Sequence, residues 1–171
     1  MGVVFYAGIV DQQQDVDRFG GGEVIYVKVQ YLSSYNKELW GPIKKGTIGS
    51  SGFDLRSCEA GIVPAGKWSM FKCGIRFEMQ EGVEAQIRSR SGLSVKSGVF
   101  VLNSPGTIDS DYRGEICCVL ASISSDDYHV KQGDRIAQVV FSKSDPVLIL
   151  DVEEVTETDR GQDGFGSTGN M

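Results

Sequence analysis

Apolar and polar residues alternate one by one through much of the middle of the chain. From Phe71 to Met79 the apolar set Phe71, Cys73, Ile75, Phe77 and Met79 interleaves with Lys72, Gly74, Arg76 and Glu78. Val83, Ala85 and Ile87 alternate likewise with Glu84, Gln86 and Arg88. A period of two puts successive side chains on opposite faces of a strand, so both segments predict half-buried strands. Further strands are predicted over 24–31, 99–102, 115–123, 135–141 and 147–152. Pro64-Ala65-Gly66, Glu81-Gly82, Ser104-Pro105-Gly106 and Gln132-Gly133-Asp134 punctuate them as turns. Helical periodicity is confined to one or two turns around 91–97, closed by Gly98. Short strands at this spacing predict an all-β jelly roll or distorted β-barrel with one short helix.

The ends read differently. Residues 11–22 (DQQQDVDRFGGG) are polar and then glycine-rich, so 1–22 is expected to be a loose N-terminal extension preceding a domain over 23–158. Residues 160–171 (RGQDGFGSTGNM) offer little apolar surface to offset the entropy of ordering. On composition this tail is either a frayed end or an arm that orders on a ligand, and Arg160 and Phe165 favour the arm.

Composition narrows the function classes. A chain of 171 residues, 40% hydrophobic, is enough for one cored domain and short for two. Lys plus Arg is 17 against 23 acids, a net charge of −6, which excludes a protein that coats DNA or RNA by neutralising phosphates. A small phosphate ligand, needing only a few placed donors, stays open. No run approaches the ~18 apolar residues of a membrane span, and Met1–Val10 lacks the basic flank of a signal peptide. Cys58, Cys73, Cys117 and Cys118 form no CxxC pair and have one histidine, His129, to help them, so a zinc site is poorly supported. Four reduced thiols in a cytoplasmic setting, or a nuclear one, are expected.

Candidate chemistry lies in five segments. Gly164-Phe165-Gly166-Ser167-Thr168-Gly169 fits G-x-G-x-x-G but lacks the following helix of a dinucleotide site; its glycines and hydroxyls still suit a phosphate. Arg88-Ser89-Arg90-Ser91-Gly92-Leu93 opens the helix and makes either an anion site or a solvated turn. The stretch 106–115 carries Asp109, Asp111, Tyr112 and Arg113 between two strands and reads as a hairpin. One of its carboxylates can act as a general base; the bland reading is a charged turn with an internal Asp–Arg pair. Gly133-Asp134-Arg135-Ile136-Ala137-Gln138 opens a strand in which Asp134 and Arg135 make a structural pair and Gln138 reaches a ligand. Ser51-Gly52-Phe53-Asp54-Leu55-Arg56-Ser57 is the weakest segment taken singly. His129 reads as an exposed strand residue, so histidine-driven catalysis is not expected.

In this fixed order the segments resemble the five motifs of the trimeric deoxyuridine triphosphatases (dUTPases), over roughly residues 43–169. The resemblance implies a jelly-roll homotrimer with sites shared at subunit interfaces, hydrolysing dUTP to dUMP and pyrophosphate. Such an activity keeps uracil out of DNA and supplies dUMP for thymidylate synthesis. Asp109 resembles the family's base, which orients water toward the α-phosphorus. Tyr112 resembles the ring that leaves no room for a 2′-hydroxyl. Uracil would lie against Gly106, Thr107, Ile108 and the return strand near Cys117, with Asn103 matching a contact of bacterial-type members. Arg90, Ser91, Gly92 and Gln138 would hold phosphates. Mg²⁺ would be bound by those phosphates and by water, with no direct protein ligand, and Asp54 would reach it through water. The arm, 159–171, would close over a neighbour's site: Phe165 on uracil, Arg160 on the γ-phosphate, with Gly166, Ser167 and Thr168 assisting. Asp163 and Ser51 depart from the usual glycine and alanine, and Asp163 sets a negative charge near the triphosphate. A dCTP deaminase shares this fold, but its catalytic glutamate would fall at Val119. A dormant nucleotide-binding jelly roll is the reading from a different class.

Overall fold

The computed structural model describes residues 24–47 and 49–162. The N-terminal extension and Asp163 onward, including Phe165, Gly166, Ser167 and Thr168, lie outside the described residues. The strands are β1 (Val27–Tyr31), β2 (Phe53–Arg56), β3 (Gly61–Val63), β4 (Trp68–Lys72), β5 (Ile75–Met79) and β6 (Val83–Arg88). β7 (Val99–Val101), β8 (Gly106–Ile108), β9 (Cys117–Ser122), β10 (Tyr128–Val130) and β11 (Arg135–Lys143) complete the set. Two short helices, α1 (Lys37–Trp40) and α2 (Ser91–Ser97), interrupt them. Every ladder is antiparallel: β1-β5, β10-β3, β4-β9-β7 and the four-stranded β2-β11-β6-β8.

All of these ladders feed one core, the layout of a jelly roll. Leu55, Ile75, Phe77, Ile87, Leu120, Ile136 and Val139 are buried in a single apolar cluster. The period-two reading is visible in β5, where Ile75, Phe77 and Met79 are buried and Arg76 and Glu78 exposed. No described helix is long and apolar enough to cross a membrane.

Several expectations are corrected. The run from Phe71 to Met79 is two strands, because Gly74 at φ +64° turns the chain out of the β4 ladder with β9 and into the β5 ladder with β1. A side chain there would also meet the Cys58 sulfur and Tyr35 Cβ. Residues 147–152 form no strand; Val147, Leu148, Ile149 and Leu150 are 70–85% exposed, since no ladder within the described chain takes them up. The segment after β8 is not a hydrogen-bonded hairpin, for β8 pairs with β6 while β9 lies between β4 and β7. α2 ends as predicted, on Gly98 in the left-handed region with its N–H on the Ser94 carbonyl. α1 was not predicted; the Asn36 side chain starts it by accepting from the Leu39 N–H. His129 is exposed on β10.

All four cysteines are free thiols. Cys73 and Cys118 lie 3.5 Å apart, sulfur to sulfur, in the core. Their hydrogen bond and burial push Cys73 well above the usual thiol range, so it stays a neutral packing group.

Candidate active site

Three separate segments converge on Asp54. In β2 it faces Gln138 of β11, and Gln138 in turn faces Arg88 at the end of β6. Asp54 Oδ1 lies 2.9 Å from Arg90 Nε and its Oδ2 lies 3.0 Å from Arg135 Nη1. Arg90 also donates through Nη1 to the Arg135 carbonyl at 2.8 Å. Gln138 Nε2 donates to the Ser89 carbonyl at 2.9 Å, tying β11 to the start of α2. Ser89 Oγ accepts from the Val101 N–H at 2.9 Å, so this corner is braced from β7 as well. Gly52 is required beside it: a Cβ there would overlap the Gln138 amide.

The result is a half-buried carboxylate held between two guanidinium groups at the mouth of α2. No side chain caps the start of α2, so its first amides, at Ser91 and Gly92, have no side-chain acceptor there. Arg90 and Gln138 are thus brought together with Asp54, and Ser91 and Gly92 open α2 beside them. Arg135 was missed as a member of the group. It sits inside the fourth motif, but its partner is Asp54, 81 positions away, and not the adjacent Asp134. Asp134 instead accepts from the Lys131 N–H in its own turn.

The third segment stands elsewhere on the same sheet. Gly106 pairs with Ile87 and Ile108 with Ala85, so the chain reaches Asp109 by running away from Arg88 and Gln138. Strand spacing and rise put Asp109 roughly 20 Å from Asp54 within one chain. Asp109 and Thr107 are exposed, while Ile108 and Cys117 are half-buried. Gly106 is buried, and a Cβ on it would come 3.0 Å from the Asn103 amide nitrogen. Tyr112 folds its ring over Gly114, where any Cβ would collide with it, and donates to the Glu115 carbonyl at 3.2 Å. Arg113 turns back onto the Ser110 and Tyr112 carbonyls, in place of the internal Asp–Arg pair considered above. Burial raises the Cys117 thiol pKa, so the side chain facing this corner is neutral at pH 7.

Arg160 is exposed in the turn Thr158–Gly161. Past Lys143, the end of β11, the Ser144 N–H still bonds the Gly82 carbonyl at 2.9 Å, and every residue from 145 to 162 is exposed.

Among the described residues no group of three or more His, Cys, Asp or Glu side chains is arranged to hold a metal. Each Asp54 oxygen makes one ion pair and retains a second lone pair. That suits contact with a metal-bound water better than direct ligation between two arginines.

Fold and site together define a jelly-roll protein built to hold a phosphate-bearing ligand. The family model for dUTPase matches residues 40–169. The deoxyuridine 5'-triphosphate nucleotidohydrolase of Neorickettsia sennetsu is 49% identical over 140 residues, covering 81% of this chain and 93% of that protein. The enzyme of the same name from Helicobacter pylori (strain ATCC 700392 / 26695) is 48% identical over 126 residues, covering 74% and 87%. The chain belongs to the dUTPase family. Among solved structures, the Staphylococcus bacteriophage 80alpha dUTPase with dUpNHpp superposes with a TM-score of 0.75 at 21% identity, over 85% of this chain and 99% of that one. A dUTPase from phage phi11 of S. aureus, described as coordinating a structural Mg(II) ion, gives 0.67 at 18% identity over 77% and 99%. These likenesses support the jelly-roll assignment.

Proposed function

We propose that this chain hydrolyses dUTP to dUMP and pyrophosphate, an activity that limits uracil in DNA and supplies dUMP. The observation that carries the reading is the convergence of Arg90, Gln138 and the open start of α2 around Asp54, an arrangement of donors for a polyphosphate. Arg90, Ser91, Gly92 and Gln138 hold the phosphates. Asp109, exposed and acceptor-only when ionised, takes a proton from a water that attacks the α-phosphorus. The bond from the α-phosphorus to its bridging oxygen breaks, and pyrophosphate leaves.

Uracil sits against Gly106, Thr107, Ile108 and Cys117. A Cβ at Gly106 would press on the Asn103 amide, which keeps this position to backbone alone. The Tyr112 ring carries the deoxyribose. When bound to the substrate phosphates, Mg²⁺ would neutralise their charge and polarise the phosphoryl oxygens, and Asp54 would hold it through water. Arg160, Phe165, Gly166, Ser167 and Thr168 belong to the closing arm, 159–171.

The site is shared between chains of a homotrimer. A water poised by Asp109 and phosphates gripped by Arg90 belong to one small substrate, whereas Asp54, to which Arg90 is paired, stands roughly 20 Å from Asp109 in one chain. Sites completed by a second copy resolve that distance. An apolar stripe also supports assembly across β4-β9-β7: Trp68 faces Ala121, which faces Phe100 in turn, and Met70 faces Val119. Trp68 is 61% and Met70 57% exposed, the kind of patch that marks a protein contact.

The test is product analysis after incubation with Mg²⁺ and dUTP, dCTP, dTTP or UTP, each separately. dUMP and pyrophosphate from dUTP alone are expected. Formation of dUTP from dCTP would instead establish a deaminase. Tight dUTP binding without turnover would establish a dormant module.

A further inference from the structure

Against the Asp54–Arg135 pair opens a recess of about 130 Å³, which Arg90 does not line. Its charged lining is Lys44, Lys45, Arg56, Arg135 and a single acid, Asp54. Asp54 is already matched by Arg90 and Arg135. Among the described residues, Lys44, Lys45 and Arg56 pair with no carboxylate, and Lys45 Nζ lies over the Phe53 ring, 5.4 Å from its centroid. The recess therefore holds a local excess of positive charge in a chain whose net charge is −6.

The walls are fixed. The Ile43 N–H donates to the Tyr31 hydroxyl at 3.1 Å, and the Lys44 carbonyl accepts from the Asp54 N–H at 3.2 Å. Arg56 is anchored through Nη1 on the Gly133 carbonyl at 2.6 Å. Trp40 supplies an apolar floor, which lowers the local dielectric and strengthens charge-assisted bonds. Cavities of roughly 150 Å³ hold a benzene-sized molecule, so a small tetrahedral polyanion fits. A polyanionic polymer would meet the repulsion of the acidic chain as a whole.

We propose that this recess is an exit subsite for pyrophosphate, which Lys44 and Lys45 receive as the anion leaves Arg90 and Gln138. The proposal rests on the hydrolytic reading for the source of the pyrophosphate, while the binding itself follows from the charge and shape of the recess.

The experiment compares the full chain with a K44Q/K45Q double variant. Both lysines are exposed, so folding is expected to survive, checked by melting. Calorimetric titration with pyrophosphate is expected to give binding that weakens with salt, and a dissociation constant about tenfold higher in the variant. Inhibition of dUTP hydrolysis by added pyrophosphate weakens in parallel, while kcat and KM for dUTP stay unchanged. Equal pyrophosphate binding by both proteins overturns the proposal. So does a KM that rises in step with the inhibition constant, which makes the lysines part of substrate binding. Inorganic phosphate binding as tightly as pyrophosphate overturns the assignment of the ligand. Should dUTP not turn over at all, the hydrolytic reading fails, and the titration still reports whether the recess takes the free anion.

Discussion

Arg90 spans the pair it joins: its Nε lies 2.9 Å from Asp54 Oδ1 and its Nη1 donates to the Arg135 carbonyl at 2.8 Å. Through that one guanidinium, β2, β11 and the start of α2 share a charge-assisted network. Replacing Asp54 with Asn keeps the shape and removes the charge that two arginines face. Thermal or urea unfolding is expected to show a loss of about 1–3 kcal/mol. The KM for dUTP should rise as the arginines lose their anchor. Unchanged stability and KM together would show that neither pair matters.

Asp109→Asn separates chemistry from binding. Asp109 is exposed and belongs to no ion pair among the described residues, so its loss leaves the fold alone. Turnover should fall by about 10²–10⁴, while dUTP affinity measured by titration stays close to that of the parent. Near-normal turnover would remove Asp109 as the base.

The parts of this structure that were legible in the sequence are those set by local chemistry. Alternation marked β5 and β6, and the glycine at 98 closed α2 where a left-handed residue was needed. Residues 147–152 (VLILDV) are as apolar as a fully buried strand, yet a strand needs a partner edge, and an apolar run cannot say whether one exists. The turn at Gly74 hid inside a perfect alternation because glycine occupied a polar slot. At the site, Arg90 and Gln138 were marked by their motifs. Arg135 was read with Asp134, its neighbour in sequence, because a partner 81 residues away is invisible without the fold. The recess beside Lys44 and Lys45 was missed for the same reason: its cations come from distant segments.

Alkaline pH should weaken the fold. Burial raises the Cys58 thiol from 9.0 to about 11 and the Tyr35 phenol from 10.0 to about 12. Between the unfolded and folded values the native state keeps protons that the unfolded chain has lost, so stability is full below the unfolded values and declines above them. Urea unfolding under reducing conditions should show stability falling from about pH 9 upward. Cys58→Ala should be less stable at neutral pH, yet show a shallower decline between pH 9 and 11. An identical slope in both proteins would remove Cys58 from the account.

The strongest test of a shared site mixes two chains that are each inactive. An Arg90→Ala chain keeps Asp109 and a weakened phosphate grip, whereas an Asp109→Asn chain keeps the grip and lacks the base. If one chain supplied both groups, every site in a mixed assembly would carry a defect, and mixing would restore nothing. If the groups come from different chains, some interfaces join an intact Asp109 to an intact Arg90. Random assembly from equal amounts gives about a quarter of the sites both intact groups. Co-refolding the two variants should therefore recover activity near that fraction of the parent value, whereas mixing them without subunit exchange should recover none. Recovery absent after proven exchange would place Asp109 and Arg90 in one chain's site, which the roughly 20 Å between Asp109 and Asp54, Arg90's partner, makes hard to reconcile with one substrate.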